Sequence, residues 1–258
     1  MTIKKMTYLL GALTLLLLAS CSHIDVEDRL IPVGPVSVNR SVLIEDFTGQ
    51  RCSNCPLAAD LIENLQEQYG SDVVIAVGIH SGAMGKGTPL RTDLGDEYYN
   101  HWGVEYQPIG LVNRNGLTDY TSWNLQVYNE IQKPAFIQMG LENVYDADTR
   151  NLNITVSAQS TADTKAAKLQ LWLVEDGIVS LQFLPDGSKN PDYVHQHVLR
   201  ASVNGTWGDQ TTLANGEEQT FRYSYVLDEA WKAENMSVIA FFYDETGVLQ
   251  VTKAKIST

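Results

Sequence analysis

The chain has 258 residues, of which 44% are hydrophobic and 19% are charged, a composition that suits one or two globular domains and excludes a disordered chain. Its 31 acidic residues against 18 Lys and Arg give a formal net charge of −13. Binding to nucleic-acid phosphates requires clustered basic residues, so this acidic composition excludes nucleic acid as a partner.

The first twenty residues have the pattern of a secretory signal peptide. Lys4 and Lys5 precede an apolar run from Tyr8 to Ala19. This run is shorter than the ~20 apolar residues that a membrane-spanning helix requires, and small residues follow it. We therefore predict that residues 1–20 are a signal peptide.

The end of this segment, Leu18-Ala19-Ser20-Cys21, resembles the lipobox of bacterial lipoproteins. The resemblance implies a diacylglyceryl group on Cys21, cleavage before it, and anchoring by acyl chains. Residues 21–35 are then a lipidated tether. Ser22 stands where lipoproteins retained in the inner membrane carry Asp, which favours the outer membrane, at its periplasmic or its cell-surface face.

Residues 36–133 alternate between predicted strands and helices. An apolar strand at 41–47 leads to a helix that ends at Tyr69, in which apolar residues recur every three or four positions. The continuous apolar run at 73–79 is typical of a strand covered on both faces. A helix, a strand and a helix are then predicted at 93–102, 109–112 and 123–133. This order indicates an α/β layer.

After Pro134 the pattern becomes that of β-strands. Seven segments alternate or cluster apolar residues, and turns rich in Gly, Asn and Asp separate them. The segments are 136–145, 152–160, 167–175, 193–203, 219–227, 236–243 and 248–256. Short strands without a long helix are typical of an immunoglobulin-like sandwich, which we predict for residues 134–258.

Cys52 and Cys55 lie between the first predicted strand and helix. They can close a short disulfide, and the helix N-terminus together with Arg51 would favour a thiolate at Cys52. The same CxxC spacing also fits half of a zinc site, with histidines from distant segments as the other ligands.

His195 and His197, two residues apart on a predicted strand, fit either a metal-chelating pair or a polar sheet face.

Asp46, the Cys52/Cys55 pair, and Pro108 before an apolar strand and an Asn-Gly turn together resemble thioredoxin over residues 36–133. The resemblance implies that Cys52 is the attacking thiol, with an exposed sulfur, and that Cys55 is the resolving thiol. It implies that Asp46 is a buried acid that exchanges a proton with Cys55. No metal or organic cofactor is needed for this chemistry.

The same resemblance implies a cis peptide bond before Pro108, with Gln107 and Arg51 contacting the substrate. The sequence departs from thioredoxin in three places, one of which is Pro56 directly after Cys55. Arg51 replaces a tryptophan, and Ser53-Asn54 replaces Gly-Pro between the cysteines. The dipeptide between the cysteines tunes redox potential, so the direction of electron flow stays open.

Four further motifs accompany the lipobox: Glu45–Gly49, Cys52-x-x-Cys55-Pro56, Leu173–Asp176 and Tyr193–Arg200. With them the chain resembles, over nearly its full length, the outer membrane protein 28 family of lipoproteins from Gram-negative anaerobes. The resemblance implies an α/β thioredoxin-like domain followed by an all-β immunoglobulin-like sandwich domain, on a lipid anchor.

Two functions fit these observations. The first is a lipid-anchored thiol–disulfide oxidoreductase of the cell envelope, whose partners are envelope protein thiols or disulfides and an unknown redox partner. The second is a non-catalytic binding or scaffolding lipoprotein of the outer membrane, in which the CxxC disulfide is structural.

Overall fold

A computed structural model describes residues 39–257 of the chain. Its first two strands, β1 (Val42–Thr48) and β2 (Val74–His80), lie parallel and are buried at every residue, as their apolar sequences predict. Helix α1 (Cys55–Tyr69) connects them and packs Ile62 and Leu65 onto one face of the pair. The carboxyl ends of both strands therefore lie at one edge of the sheet, beside the start of α1.

The rest of the first half contributes two more strands to this sheet and three more helices. They are α2 (Gly82–Gly85), α3 (Asp93–His101), β3 (Ile109–Val112), β4 (Leu117–Asp119) and α4 (Trp123–Ile131). Strand β3 pairs antiparallel with β1, and β4 pairs antiparallel with β3. The predicted helices and strands of this half are present, whereas the short α2 and β4 were not predicted.

Ten strands make up the second half. They are β5 (Ile137–Asp146), β6 (Asn151–Ser160), β7 (Lys165–Glu175), β8 (Ile178–Phe183), β9 (Lys189–His195), β10 (Val198–Ser202), β11 (Asp209–Leu213), β12 (Gln219–Val226), β13 (Met236–Asp244) and β14 (Gly247–Lys255). Strands β8 and β11 were not predicted. The single strand predicted at 193–203 is two strands, because His197 between them has a left-handed backbone with φ of 56°.

One mixed sheet joins strands from both halves of the chain. Its order is β14-β13-β7-β10-β2-β1-β3-β4, and β11 pairs with β7 at its side. The junction is β10, where Val198 pairs in parallel with Gly78 of β2 and antiparallel with Glu175 of β7. The boundary predicted near residue 134 falls between α4 and β5, and this sheet contains strands from both sides of it.

The predicted fold class, an α/β thioredoxin-like domain followed by an all-β immunoglobulin-like sandwich, is therefore wrong. The protein is mostly β, with 47% of the described residues in strands and 20% in helices, and its main sheet is mixed. Hydrophobic periodicity locates strands but does not show which strands pair. The pairing of β10 with β2 joins residues more than a hundred positions apart, and no local pattern encodes it.

Two smaller sheets complete the structure. Strands β12, β6 and β5 form a three-stranded sheet whose apolar face shares a core with β7 and β13. Strands β8 and β9 pair only with each other within the described chain, as a hairpin beside the turn that follows β1. None of the helices within residues 39–257 has the length and apolar character needed to cross a bilayer.

Candidate redox site

Cys52 and Cys55 form a disulfide at the start of α1, with their Cα atoms 5.4 Å apart. The chain leaves β1 at Thr48 and turns tightly, and the amide of Cys52 donates a 3.0 Å hydrogen bond to the carbonyl of Gly49. Pro56 directly after the second cysteine is compatible with the first helical turn, where an amide hydrogen has no partner. The turn and the helix start thus hold the two sulfurs together.

Both cysteines are buried, with only 3% of Cys52 and 2% of Cys55 exposed. The expectation of an exposed sulfur at Cys52 is therefore wrong. The β8–β9 hairpin covers the turn: the side-chain amide of Gln182 donates a 2.8 Å hydrogen bond to the carbonyl of Cys52, and the amide of Phe183 donates to the carbonyl of Gln50 at 2.9 Å. A segment from the second half of the chain closes the site.

Asp46 lies on β1, two residues before the strand ends, and is buried, as the resemblance implied. Its Oδ1 atom has no hydrogen-bond partner within residues 39–257. Burial raises the pKa of this carboxyl to about 8, because the charged form loses hydration without a compensating partner. Asp46 therefore carries a proton over much of the neutral pH range.

The Gln107–Pro108 peptide bond is cis, as the resemblance implied. The side-chain amide of Gln107 donates hydrogen bonds to the carbonyls of Thr48, at 2.7 Å, and Ser81, at 3.3 Å. This residue therefore ties the segment before β3 to the ends of β1 and β2. Arg51 is exposed beside the disulfide.

A cavity of about 460 Å³ lies beside the disulfide, between α1, the ends of β1 and β2, and strand β9. Asp46 and Cys55 both line it, whereas Cys52 does not. Alternation along β1 explains the position of the acid, since Asp46 and Thr48 lie on the face that packs against α1. The cavity therefore places the buried acid and the second cysteine in one space.

Two histidines that the sequence analysis considered as distant zinc ligands also line the cavity. The rings of His80, at the end of β2, and His195, at the end of β9, lie 5.2 Å apart. Burial, followed by the charges of His195 and Arg200, lowers the pKa of His80 to about 3, and burial also lowers the pKa of His195. Both imidazole rings are therefore uncharged at pH 7. The sequence indicated His80 only as one of the distant histidines that could complete a zinc site with the two cysteines.

His195 and His197 do not act as a matched pair on a sheet face. The ring of His195 contacts His80, whereas His197 lies in the turn after β9. Its Nδ1 lies 2.9 Å from a carboxylate oxygen of Asp176, and its Nε2 lies 3.2 Å from the side-chain oxygen of Gln66. Within residues 39–257, no group of three or more His, Cys, Asp and Glu side chains is arranged to hold a metal ion.

The family pattern described as outer membrane protein Omp28 matches residues 95–258, well over half of the chain. The chain belongs to the Omp28 family of outer membrane proteins. A search of curated proteins finds no match. The Omp28 match begins within α3 and includes the hairpin that covers the disulfide.

Solved structures similar to this Omp28-family chain include HBP35 of Porphyromonas gingivalis, with a TM-score of 0.71 and 18% identity over 85% of this chain and 76% of that one. An outer membrane lipoprotein Omp28 domain from the same organism is 27% identical over 48% of this chain and 89% of its own length, with a TM-score of 0.34. A protein of Agrobacterium tumefaciens gives a TM-score of 0.50 at 13% identity, over 84% of this chain and 95% of its own.

The likeness to HBP35 shows a shared fold over most of both chains. Cys21, the residue expected to carry the lipid, lies outside the described residues, as do the predicted signal peptide and tether. The family assignment therefore supports the outer membrane, and the lipid anchor stays a prediction.

Proposed function

We propose that this Omp28-family protein is a lipid-anchored thiol–disulfide oxidoreductase of the cell envelope. Cys52 and Cys55 are its redox pair, thiols and disulfides of envelope proteins are its substrates, and a separate redox partner restores the pair. A lipid on Cys21 holds it at the outer membrane.

One observation carries this proposal: the buried carboxyl group of Asp46 lines the same cavity as Cys55. A disulfide that only pins a helix start needs no acid beside it, and an unpaired buried carboxyl costs folding free energy. A carboxyl with a pKa of about 8 can take up or release a proton near neutral pH. That property is useful when a thiol beside it must lose or gain a proton.

The proposed exchange begins with reduced Cys52, whose thiolate is stabilised by the adjacent N-terminus of α1. This thiolate attacks one sulfur of a substrate disulfide and expels the other as a thiolate, leaving a mixed disulfide at Cys52. Asp46 in its carboxylate form takes the proton of Cys55. The Cys55 thiolate then attacks Cys52, forms the intramolecular disulfide, and expels the second substrate sulfur as a thiolate.

A protein substrate reaches Cys52 only when the β8–β9 hairpin moves away from it. The hairpin is held over the turn by a few hydrogen bonds, chiefly from Gln182 and from Gln50, whose amide donates to Ser180 and Leu181. Net contributions of about 1 kcal/mol for each hydrogen bond allow such a segment to open locally without global unfolding.

The full chain, purified in detergent, tests the proposal with insulin as a disulfide probe. We expect the wild-type protein to accelerate insulin reduction by dithiothreitol, and the Cys52→Ser variant to lose this activity. A Cys55→Ser variant should accumulate a mixed disulfide with insulin at Cys52, detected by mass spectrometry. A Cys52–Cys55 reduction potential far below about −300 mV, together with no activity, would mark the bond as structural.

The burial of Cys52 favours a second candidate, a binding or scaffolding protein in which the disulfide is structural. A Cys52→Ser/Cys55→Ser double variant separates the two functions. If it fully restores the phenotype of a deletion strain, redox chemistry is not the role of this protein. Failure to restore it at normal protein abundance supports the oxidoreductase.

A further inference from the structure

The cavity beside Cys55 contains polar atoms that the exchange with protein substrates does not use. Oδ1 of Asp46, Nδ1 of His80 and Nε2 of His195 are buried and have no hydrogen-bond partner within residues 39–257. All three residues line the cavity, and each is at least nine-tenths buried. Buried polar groups are rarely left unpaired, so three in one cavity indicate a place for a polar ligand.

The free atom of His195 is a hydrogen-bond acceptor. The ring hydrogen-bonds to the backbone of Ser180 and Leu181, and these bonds partly oppose the lowering of its pKa. Because Nε2 is the atom without a partner, Nδ1 carries the hydrogen in the neutral ring. Nε2 therefore presents a lone pair to the cavity, which suits a ligand that donates.

The cavity also has a negative character. Asp60 and Glu63, on the exposed side of α1, line it, and none of the described lining residues is a lysine or an arginine. The pKa of Tyr193 is raised by burial and then by the charges of Asp60, Asp46 and Glu63, so all three carboxyl groups lie near this one phenol. A positively charged ligand is favoured here over an anion.

We infer that the cavity admits a small thiol bearing an ammonium group, which reduces the Cys52–Cys55 disulfide by attacking Cys55. This inference rests on the proposed function and names the chemical class of its redox partner. An ammonium group has three donors and no acceptor, which matches the lone pair of His195 and the carboxylates of Asp60 and Glu63. A cavity of about 460 Å³ falls within the usual range for small-molecule sites and is too small for a folded protein.

The reduction proceeds in two exchanges. The thiolate of the first small thiol attacks Sγ of Cys55, so the Cys52–Cys55 bond breaks, a mixed disulfide forms at Cys55, and Cys52 leaves as a thiolate. A second small thiolate attacks the external sulfur of this mixed disulfide. The products are one small-molecule disulfide and two protein thiols, and the two protons come from the two small thiols.

The test compares three thiols of different charge on the oxidised full chain: cysteamine, 2-mercaptoethanol and mercaptoacetate. Each rate of disulfide reduction is divided by the thiolate concentration, so that differences in thiol pKa are removed. We expect cysteamine to react about tenfold faster than mercaptoacetate, because a cleft of one charge concentrates ligands of the opposite charge. An Asp60→Asn/Glu63→Gln variant should bring this ratio close to one, because it removes the two carboxylates that attract the ammonium group.

Glu67→Gln is the matched control, since Glu67 is an exposed acid on the same helix that does not line the cavity. The Glu67→Gln variant should keep the wild-type ratio of the cysteamine rate to the mercaptoacetate rate. A wild-type ratio near one, or a ratio that the double variant leaves intact, would overturn the inference. If insulin reduction succeeds while the charge ratio is flat, the proposed function stands and only this inference fails.

The sulfur that faces the cavity is identified with single-cysteine variants. Cys52→Ser leaves Cys55 free, and cystamine should couple to it faster than the doubly anionic dithiodiglycolate does. Cys55→Ser leaves Cys52 free, outside the cavity, and should show little preference. The reverse pattern would overturn the inference even if the oxidised protein prefers cysteamine.

Discussion

The side-chain amide of Gln182 hydrogen-bonds to the backbone carbonyl of Cys52 at 2.8 Å, although 130 residues separate them. The same amide lies 3.4 Å from the carbonyl of Gly49. Gln182 is almost fully buried and lies on β8, in a hairpin that pairs with no other strand in the described chain. One side chain from the second half therefore closes the turn that holds the disulfide in the first half.

Replacing Gln182 with Ala should make the disulfide easier to reach. Loss of the hydrogen bonds lowers the free energy of opening the hairpin by about 1–2 kcal/mol, so reduction by a protein dithiol should accelerate about five- to thirtyfold. The rate is measured by quenching with acid, alkylating the free thiols and analysing by mass spectrometry.

Gln250→Ala is the control for this experiment. Gln250 is also buried and donates a 2.8 Å hydrogen bond to a backbone carbonyl, that of Asn39, far from the hairpin. The Gln250→Ala variant should lose a similar amount of its free energy of unfolding, and its disulfide should be reduced at the wild-type rate. Equal reduction rates in wild type and Gln182→Ala would show that the hairpin does not limit access.

Asp46→Asn should change how stability depends on pH. The folded-state pKa of about 8 lies above the ordinary 3.8, so between these values the folded protein holds a proton that the unfolded chain releases. The free energy of unfolding therefore falls as pH rises from about 4 to 8, by up to about 1.4 kcal/mol per pH unit. Asn does not titrate, so the variant should lack this fall and be more stable than wild type at pH 8.

Urea unfolding at pH 4, 6 and 8, with the disulfide intact, measures this effect. The advantage of Asp46→Asn should grow across the series. Asp60→Asn, at an exposed position on α1, provides the control and should behave like wild type. A difference between Asp46→Asn and wild type that is constant with pH would contradict the raised pKa.

A buried ion pair in the first half of the chain contacts aromatic rings from the second half. The guanidinium of Arg114 lies 2.8 Å from a carboxylate oxygen of Glu45 and stacks near the rings of Trp172, Phe241 and Tyr243. Arg114→Met should reduce the free energy of unfolding by about 3–5 kcal/mol, because it leaves the Glu45 carboxylate buried and unpaired. Urea denaturation at pH 7 gives the value.

Arg91→Met tests whether burial of the ion pair causes the large loss of stability expected for Arg114→Met. Arg91 pairs with Asp96 near the surface, where water screens the charges, so its replacement should cost much less than that of Arg114. A Glu45→Gln/Arg114→Met double variant should recover part of the loss, since no charge is then left unpaired. Similar losses for Arg114→Met and Arg91→Met would refute this account.

The elements of the fold could be predicted from sequence where one local signal dominates. The apolar run at 73–79 gave β2, and the three- and four-residue spacing before Tyr69 gave α1. The fold class could not be predicted, because it depends on the pairing of Val198 with Gly78. The polar strand β11 carries no alternating apolar pattern and was missed for that reason. In β8, by contrast, Val179, Leu181 and Phe183 alternate with polar residues, a strand signal that the sequence analysis did not use.

The candidate site, too, could be predicted from the sequence only in part. The cysteines and Asp46 lie within ten residues of each other, and the resemblance to thioredoxin identified them as one site. The burial of Cys52 was not predictable, because its cover is a glutamine 130 positions away that no motif marks. The cavity was not predictable either, because it forms where His195 of β9 contacts His80 of β2. These residues are far apart in the sequence, and only the tertiary structure brings them together.

The turn before Cys52 depends on a glycine. A Cβ atom at Gly49 would lie 2.5 Å from the backbone carbon of Met84, closer than real contacts allow, and that backbone also accepts a hydrogen bond from the amide of Arg51. Gly49→Ala should therefore push α2 away from the turn and lower the free energy of unfolding by about 1–3 kcal/mol. Gly78→Ala is the matched control, because its Cβ would lie an ordinary 3.5 Å from the nearest backbone atom. Thermal unfolding compares the two, and equal losses would show that the Met84 contact does not constrain the turn.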